Sequence, residues 1–135
     1  MIINLTQHKA TADQRNAGVV DLPDNERAQL RDALTINDLP NRADIEARAE
    51  VVALLAAHNG LGGDEGDDPA PLQAMIGGAP FLMSALEAAL MDQHIEPIYA
   101  FSQRENVEEH QPDGSVRKAQ AFRHLGFVRP YAGQY

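Results

Sequence analysis

The sequence predicts an α/β fold: a small Rossmann-like, mainly parallel sheet with flanking helices and a C-terminal β-hairpin. Three observations carry this. Short apolar runs alternate with stretches of helical spacing. The span "LQAMIGG", "APFLMSALEAALMDQ", "EPIYAFS" reads strand, glycine-rich turn, helix, strand, the pattern of a right-handed βαβ unit. Residues 106–111 and 115–128 alternate in polarity around "PDG", a hairpin signal in both turn chemistry and period.

Each element has its own signal. Ile2, Ile3 and Leu5 form an apolar run suited to a buried first strand and too short for a helix. Thr11 and Gln14 stand at capping-box spacing, which predicts a short helix from about Ala12 that stops before Gly18. "VVDL" is the second strand. Asp24 or Asn25 is placed to cap a helix through "ERAQLRDAL", with Ala28, Leu30 and Leu34 as its apolar stripe. After the connector "TINDLP", Asn41 and Asp44 open a longer helix in which Ile45, Ala49, Val52, Leu55 and Ala56 recur at helical spacing. Gly60 is expected to end it in the left-handed conformation. The acidic, glycine-rich stretch around 60–71 reads as an exposed, mobile loop, and its acids lack the ligand spacing of an EF-hand. "LQAMIGG" is the third strand, and the helix after it is apolar nearly all round, so it must be covered on most sides. "EPIYAFS" is the fourth strand, with Pro97 at its entry.

Composition bounds the function. A chain of 135 residues makes one domain with one core. A net charge of −9 argues against coating duplex nucleic acid, which needs a basic face. A small anion in a local basic pocket stays open, because residues 98–128 gather four of the chain's Lys and Arg. The absence of cysteine removes disulfides, thiolate metal sites and a cysteine nucleophile. "MIINLTQHKA" lacks a basic signal-peptide start, and no apolar run approaches a membrane span, so a cytoplasmic protein is expected. No HExxH, GxSxG or Walker pattern occurs, and no metal or cofactor is expected.

In an open α/β sheet ligands bind beyond the carboxyl ends of the strands, and three segments meet there. Asn4, Thr6, Gln7 and His8 leave the first strand. In "GGAPF", Gly77 and Gly78 permit close approach, and Pro80 opens a helix that Ala79 cannot cap, leaving amide donors for an anion near Phe81. "FSQRE" carries Ser102, Gln103, Arg104 and Glu105 off the end of the fourth strand, with Arg104 suited to clamp a phosphate or else to pair with Glu105 or Glu108. On the second hairpin strand Val116, Lys118, Gln120, Phe122 and His124 share a face, with Phe122 expected in the core and Lys118 and His124 projecting with Arg104 or decorating the edge. His8 and His124 are the candidate proton carriers. His58 and His94 stand at predicted helix C-termini and read as structural.

The segment "PIYAFSQRENVEEHQPDGSVRKAQAFRHLGFVRPY" resembles the ending of a group of small CRISPR-associated proteins of type III systems. In that group a Rossmann-like strand enters an Ala-Thr/Ser-x-Arg turn, a glutamate follows, and the hairpin reads Asp-Gly-Ser-Val-x-Lys, Phe-x-His, Phe and Tyr. The similar positions here are Ala100, Ser102, Arg104, Glu108, Asp113 to Val116, Lys118, Phe122, His124, Phe127 and Tyr131. "IGGAPFL" and "INLTQH" resemble the group's upstream loops more loosely, and residues 20–70 do not align. The resemblance implies a CARF-like fold, a homodimer, and binding of a cyclic oligoadenylate, with metal-independent ring-nuclease cleavage in some members and a role in antiviral signalling. Arg104, Lys118, His8 and His124 would then be catalytic; Asn4, Thr6, Gln7, Gly77, Gly78, Phe81, Ser102, Gln103 and Glu108 would bind ligand. A non-cleaving sensor, a Rossmann-like protein for an ordinary nucleotide and an acidic protein-interaction module are the alternatives.

Overall fold

A computed structural model describes residues 1–60 and 72–133; the core of the predicted acidic loop, 61–71, lies outside the described residues. The elements run β1 (Ile2–Asn4), α1 (Ala12–Asn16), β2 (Val19–Asp21), α2 (Asp24–Leu34), α3 (Arg42–Gly60), β3 (Gln73–Met75), α4 (Pro80–Asp92), β4 (Glu96–His110) and β5 (Val116–Val128). They build a five-stranded sheet in the order β2-β1-β3-β4-β5. Strands β1 to β4 pair in parallel, and β5 returns antiparallel to β4. The α/β fold with a mainly parallel sheet and a C-terminal hairpin is thus the observed one. Among the described residues no helix is long and apolar enough to cross a membrane.

The core is two unequal layers. Leu30 of α2, Val52 of α3 and Leu82, Leu86 and Leu90 of α4 pack with Ile3, Leu5, Ala74 and Ile76 of the sheet. Each fully buried leucine contributes about 1.5–3 kcal/mol, which makes this helical side the main source of stability. The other side holds only Ile2, Ala10, Val19, Met75 and Ile98, with Phe127 partly buried against them. Right-handed crossover puts α1 on that side, and it buries none of its residues. This thinly covered face stays open for other work.

Local chemistry explains the helix ends. Thr11 accepts from the Gln14 amide at 3.2 Å and the Gln14 side chain accepts from the Thr11 amide at 3.0 Å, the predicted capping box. Asn41 caps α3 through the Asp44 amide at 2.8 Å. Two expectations are corrected. Asp24 is the first helical residue of α2 rather than its cap, and the position before it is Pro23, which makes no side-chain cap bond. Gly60 remains helical instead of turning left-handed, and a Cβ there would collide with Leu72, so its role is close packing. The left-handed end belongs to α4, where His94 takes φ 57°. Its amide bonds to Met91 O at 3.0 Å and that of Ile95 to Leu90 O at 2.9 Å, a Schellman closure without glycine.

The largest departure is β4. It does not end at Ser102 but continues through His110, so "FSQRE" is strand and not a turn. Beyond Ile98 its pairing, among the described residues, is with β5 alone. Phe101 pairs with Gly126 and Ser102 with His124, leaving Leu125 as the extra residue of a bulge. The hairpin closes at Gln111–Ser115, where Gly114 has φ 86° and Asp113 accepts from the Ser115 amide at 2.9 Å and its hydroxyl at 2.6 Å. At the other end the chain is tied down: Arg129 grips the fully buried Glu96 at 2.8 and 2.9 Å, and Gln73 adds a third bond at 3.0 Å. Glu87 accepts from Tyr99 at 2.5 Å and Tyr131 at 2.9 Å.

Candidate functional site

The strand order reverses between β1 and β3, since the chain leaves β1 towards β2 and then crosses back to β3. Such a switch point opens a crevice at the carboxyl ends of the two strands. Here that position is occupied by Thr6 and Gly77, and a Cβ on Gly77 would sit 3.6 Å from the Thr6 methyl. That is an ordinary van der Waals distance, so the two residues stand side by side at the carboxyl ends of their strands. Gly78 follows with φ 151°, a conformation that favours glycine, and leads into the uncapped first turn of α4.

The loop after β1 is built by Asn4, which is 3% exposed. Its amide nitrogen donates to His8 O and to Asp21 Oδ1, both at 2.8 Å. Its oxygen accepts from the Thr6 amide at 2.9 Å and the Thr6 hydroxyl at 2.7 Å. Asn4 is therefore saturated within the protein and shapes the loop that presents Thr6, Gln7 and His8. Gln7 and His8 are exposed, with Gln7 reaching Leu34 O at 3.5 Å. Asp21 was missed by sequence reasoning. It also accepts from the Ala10 amide at 3.0 Å, closing the loop from its far side. Burial opposes ionisation of Asp21, but the Asn4 and Ala10 bonds with Arg27 and Arg15 nearby hold its carboxyl below the ordinary value. The available signal was its place in "VVDL", an acid at the carboxyl end of a strand beside β1.

Strand alternation connects this loop to the hairpin. Asn4, Met75 and Ile98 are level in the parallel ladder, so Thr6, Gly77 and Ala100 follow two residues on, facing the thinly covered side. Further along β4 the same face carries Ser102, Arg104, Asn106, Glu108 and His110, opposite His124, Phe122, Gln120, Lys118 and Val116. The structure thus brings Ser102, Arg104, Glu108, Lys118 and His124 onto one face of the ribbon. Gln103 does not join them; it pairs with Arg123 on the reverse side. Phe81 is also apart, half-exposed in a groove of about 770 Å³ between α3 and α4 with Ile45, Glu46, Glu50 and Asp92.

Charge on this face is left available. Arg104 makes no ion pair among the described residues, and its guanidinium lies 5.4 Å from the Phe122 ring centroid. Glu105, an expected partner, faces the other way towards Arg123 at 3.5 Å. Phe122 is corrected from core to surface, at 67% exposed. His124 stacks edge-on against Phe127 at 4.9 Å, and its Nδ1 is buried without a hydrogen-bond partner among the described residues. The candidate structural histidines lie elsewhere: His58 is 3.9 Å from Glu26, and His94 closes α4.

A model of a protein family matches residues 1–128, which takes in the crevice, the loop after β1 and nearly all of the ribbon. The chain belongs to the uncharacterized protein MJ1673 family. No curated protein and no solved structure matches it. Membership covers both halves of the site, so the ribbon and the sheet are parts of one family unit.

Proposed function

We propose that this protein binds a cyclic oligoadenylate, cyclic tetraadenylate in the first instance, and cleaves it as a metal-independent ring nuclease that ends type III CRISPR signalling. The observation that carries the reading is the unpaired Arg104 lying over the exposed ring of Phe122, on the face that leads from the Thr6–Gly77 crevice. An aromatic surface for a base beside a guanidinium for a phosphate is the chemistry that single-stranded nucleotides require. The resemblance of the C-terminal segment to the CRISPR-associated group supplies the cyclic ligand, and the cytoplasm is where that ligand acts.

In this reaction the ribose 2′-oxygen forms a bond to the adjacent phosphorus while the bond to the departing 5′-oxygen breaks. A 2′,3′-cyclic phosphate and a 5′-hydroxyl result. The proton leaves the 2′-hydroxyl for a base and another is supplied to the 5′-oxygen. His8 and His124 are the groups for these transfers, Arg104 offsets charge on the phosphorane, and amides after Gly77 and Gly78 add donors, whereas Lys118 lies too far along the ribbon to join them in the same chain. Ser102 and Thr6 orient the ribose-phosphate backbone. The symmetry of a cyclic ligand suits a two-fold dimer.

The test is incubation with cyclic tri-, tetra- and hexaadenylate in EDTA, with binding and products resolved separately. Linear products ending in a cyclic phosphate are expected. Binding without product removes the nuclease and leaves a sensor, and binding of AMP but of no ring favours an ordinary nucleotide site. No binding of any ring overturns the proposal.

A further inference from the structure

The carboxylate that braces the loop after β1 has an oxygen to spare. Asp21 Oδ1 takes both of the hydrogen bonds its side chain makes among the described residues, from Asn4 Nδ2 at 2.8 Å and from the Ala10 amide at 3.0 Å. Oδ2 takes none. Among the described residues the buried side-chain polar atom without a partner is His124 Nδ1, so Oδ2 of the half-buried Asp21 is open to solvent. Its direction follows from the ladder: Asp21, Asn4, Met75 and Ile98 are level and point to the thinly covered side, on which Thr6 and Gly77 follow two residues on. Asp21 stands two strands, about 10 Å, from Met75, where β3 ends and the Gly77 turn begins.

What the free oxygen can accept is set by its surroundings. Although burial opposes ionisation, the bonds from Asn4 and Ala10 with Arg27 and Arg15 nearby hold the carboxyl below its ordinary value, so near neutral pH Asp21 only accepts. Arg15 is exposed and fixed by its Nη1 bond to Ala10 O at 2.8 Å, and Arg27, in the first turn of α2, makes no ion pair among the described residues. Two guanidiniums beside a carboxylate disfavour a metal cation there and offset the repulsion of an arriving phosphate. A neutral hydroxyl with a phosphate close by meets both conditions. The 2′-hydroxyl of a ribonucleotide is such a group. We infer that Asp21 Oδ2 accepts the 2′-hydroxyl of a ribose lying over the loop between β1 and α1, and that this contact selects ribonucleotides over deoxyribonucleotides. The bond is charge-assisted, which gives it more weight than a contact between neutral groups. The inference rests on the nucleotide reading above and names what the sugar of that ligand meets.

The test compares cyclic tetraadenylate with its 2′-deoxy counterpart, using the full-length chain and its Asp21→Asn variant. Asparagine keeps an oxygen for the Asn4 and Ala10 donors and replaces the free acceptor by an amide. Filter binding on ice is scored on intact radiolabelled ring, so cleavage does not enter. The parent is expected to bind the ribonucleotide ring about 10-fold more tightly than the deoxy ring, the weight of one hydrogen bond to a charged group. Asp21→Asn should bring the two within about 3-fold by weakening the ribonucleotide ring alone. A purely bracing role for Asp21 would weaken both rings alike. That outcome overturns the inference. So does a parent that binds both rings equally, a result that needs no variant and leaves the ligand reading standing. Binding of neither ring by the parent removes the ligand reading and this inference together.

Discussion

Arg104 is the side chain on which the site turns, because among the described residues it alone combines a cation outside any ion pair with an aromatic platform. Arg104→Ala is expected to weaken cyclic tetraadenylate binding by about 10- to 100-fold, the loss of a charge-assisted contact. The melting temperature stays within about a degree of the parent, since the side chain is exposed and its contact with Phe122 is at the surface. Titration calorimetry with a thermal melt of the same sample checks both. Arg104 was legible as a candidate because it follows an apolar strand in sequence; its partner was not. Phe122 looked like core from composition, and only the length of the ribbon put it in water. Glu96 makes the opposite point. Its bonds from Arg129 lower its pKa against the cost of burial, helped by Gln73. A carboxylate held below its ordinary value stabilises the fold above that value, about 4.3, and loses the contribution as pH falls through the folded value. Asp21 acts in the same direction. Acid titration followed by circular dichroism should therefore unfold Glu96→Gln with a flatter pH dependence than the parent below about pH 4, from a less stable start at pH 7.

Strand β4 was half legible. "EPIYAFS" reads as a buried strand, and its first residues are buried, but the polar residues after it carry no core pattern because both faces of the ribbon lie outside the body. A turn and an exposed extended strand look alike in one sequence; the β5 ladder distinguishes them. The loop after β1 shows a similar limit. Asn4 reads as a ligand contact from its polarity, whereas its four hydrogen bonds are spent on Thr6, His8 and Asp21. Asn4→Ala leaves those groups unsatisfied at a buried position and should cost about 2–3 kcal/mol. Urea denaturation measures the loss, and exchange of the Ala10 amide should rise by more than amides in α4, because the loop opens before the core. Asn4→Asp is a sharper variant: it keeps the acceptor for Thr6 but faces Asp21 with a like charge, and its destabilisation should shrink as pH falls.

The assembled chain separates a stabilising half from a reactive one. Helices α2, α3 and α4 with their side of the sheet hold the core, and the ribbon adds none of the leucines that define it. Joining Glu105 to Ala121 through Asn-Gly, in place of residues 106–120, keeps the register and suits a tight hairpin. The shortened chain should fold with a melting temperature within a few degrees of the parent, as a thermal melt followed by circular dichroism measures. The sequence by itself determined the βαβ order, the N-terminal caps of α1 and α3, the acidic balance and the hairpin turn, because each depends on residues within a few positions of one another. Only the tertiary structure decided that Asp21 braces the loop after β1, that Gln103 and Phe81 part from Arg104, and that Lys118 stands far from the crevice of its own chain. Those outcomes depend on strand register and on where pairing with the body stops, which are set by contacts between segments distant in the chain.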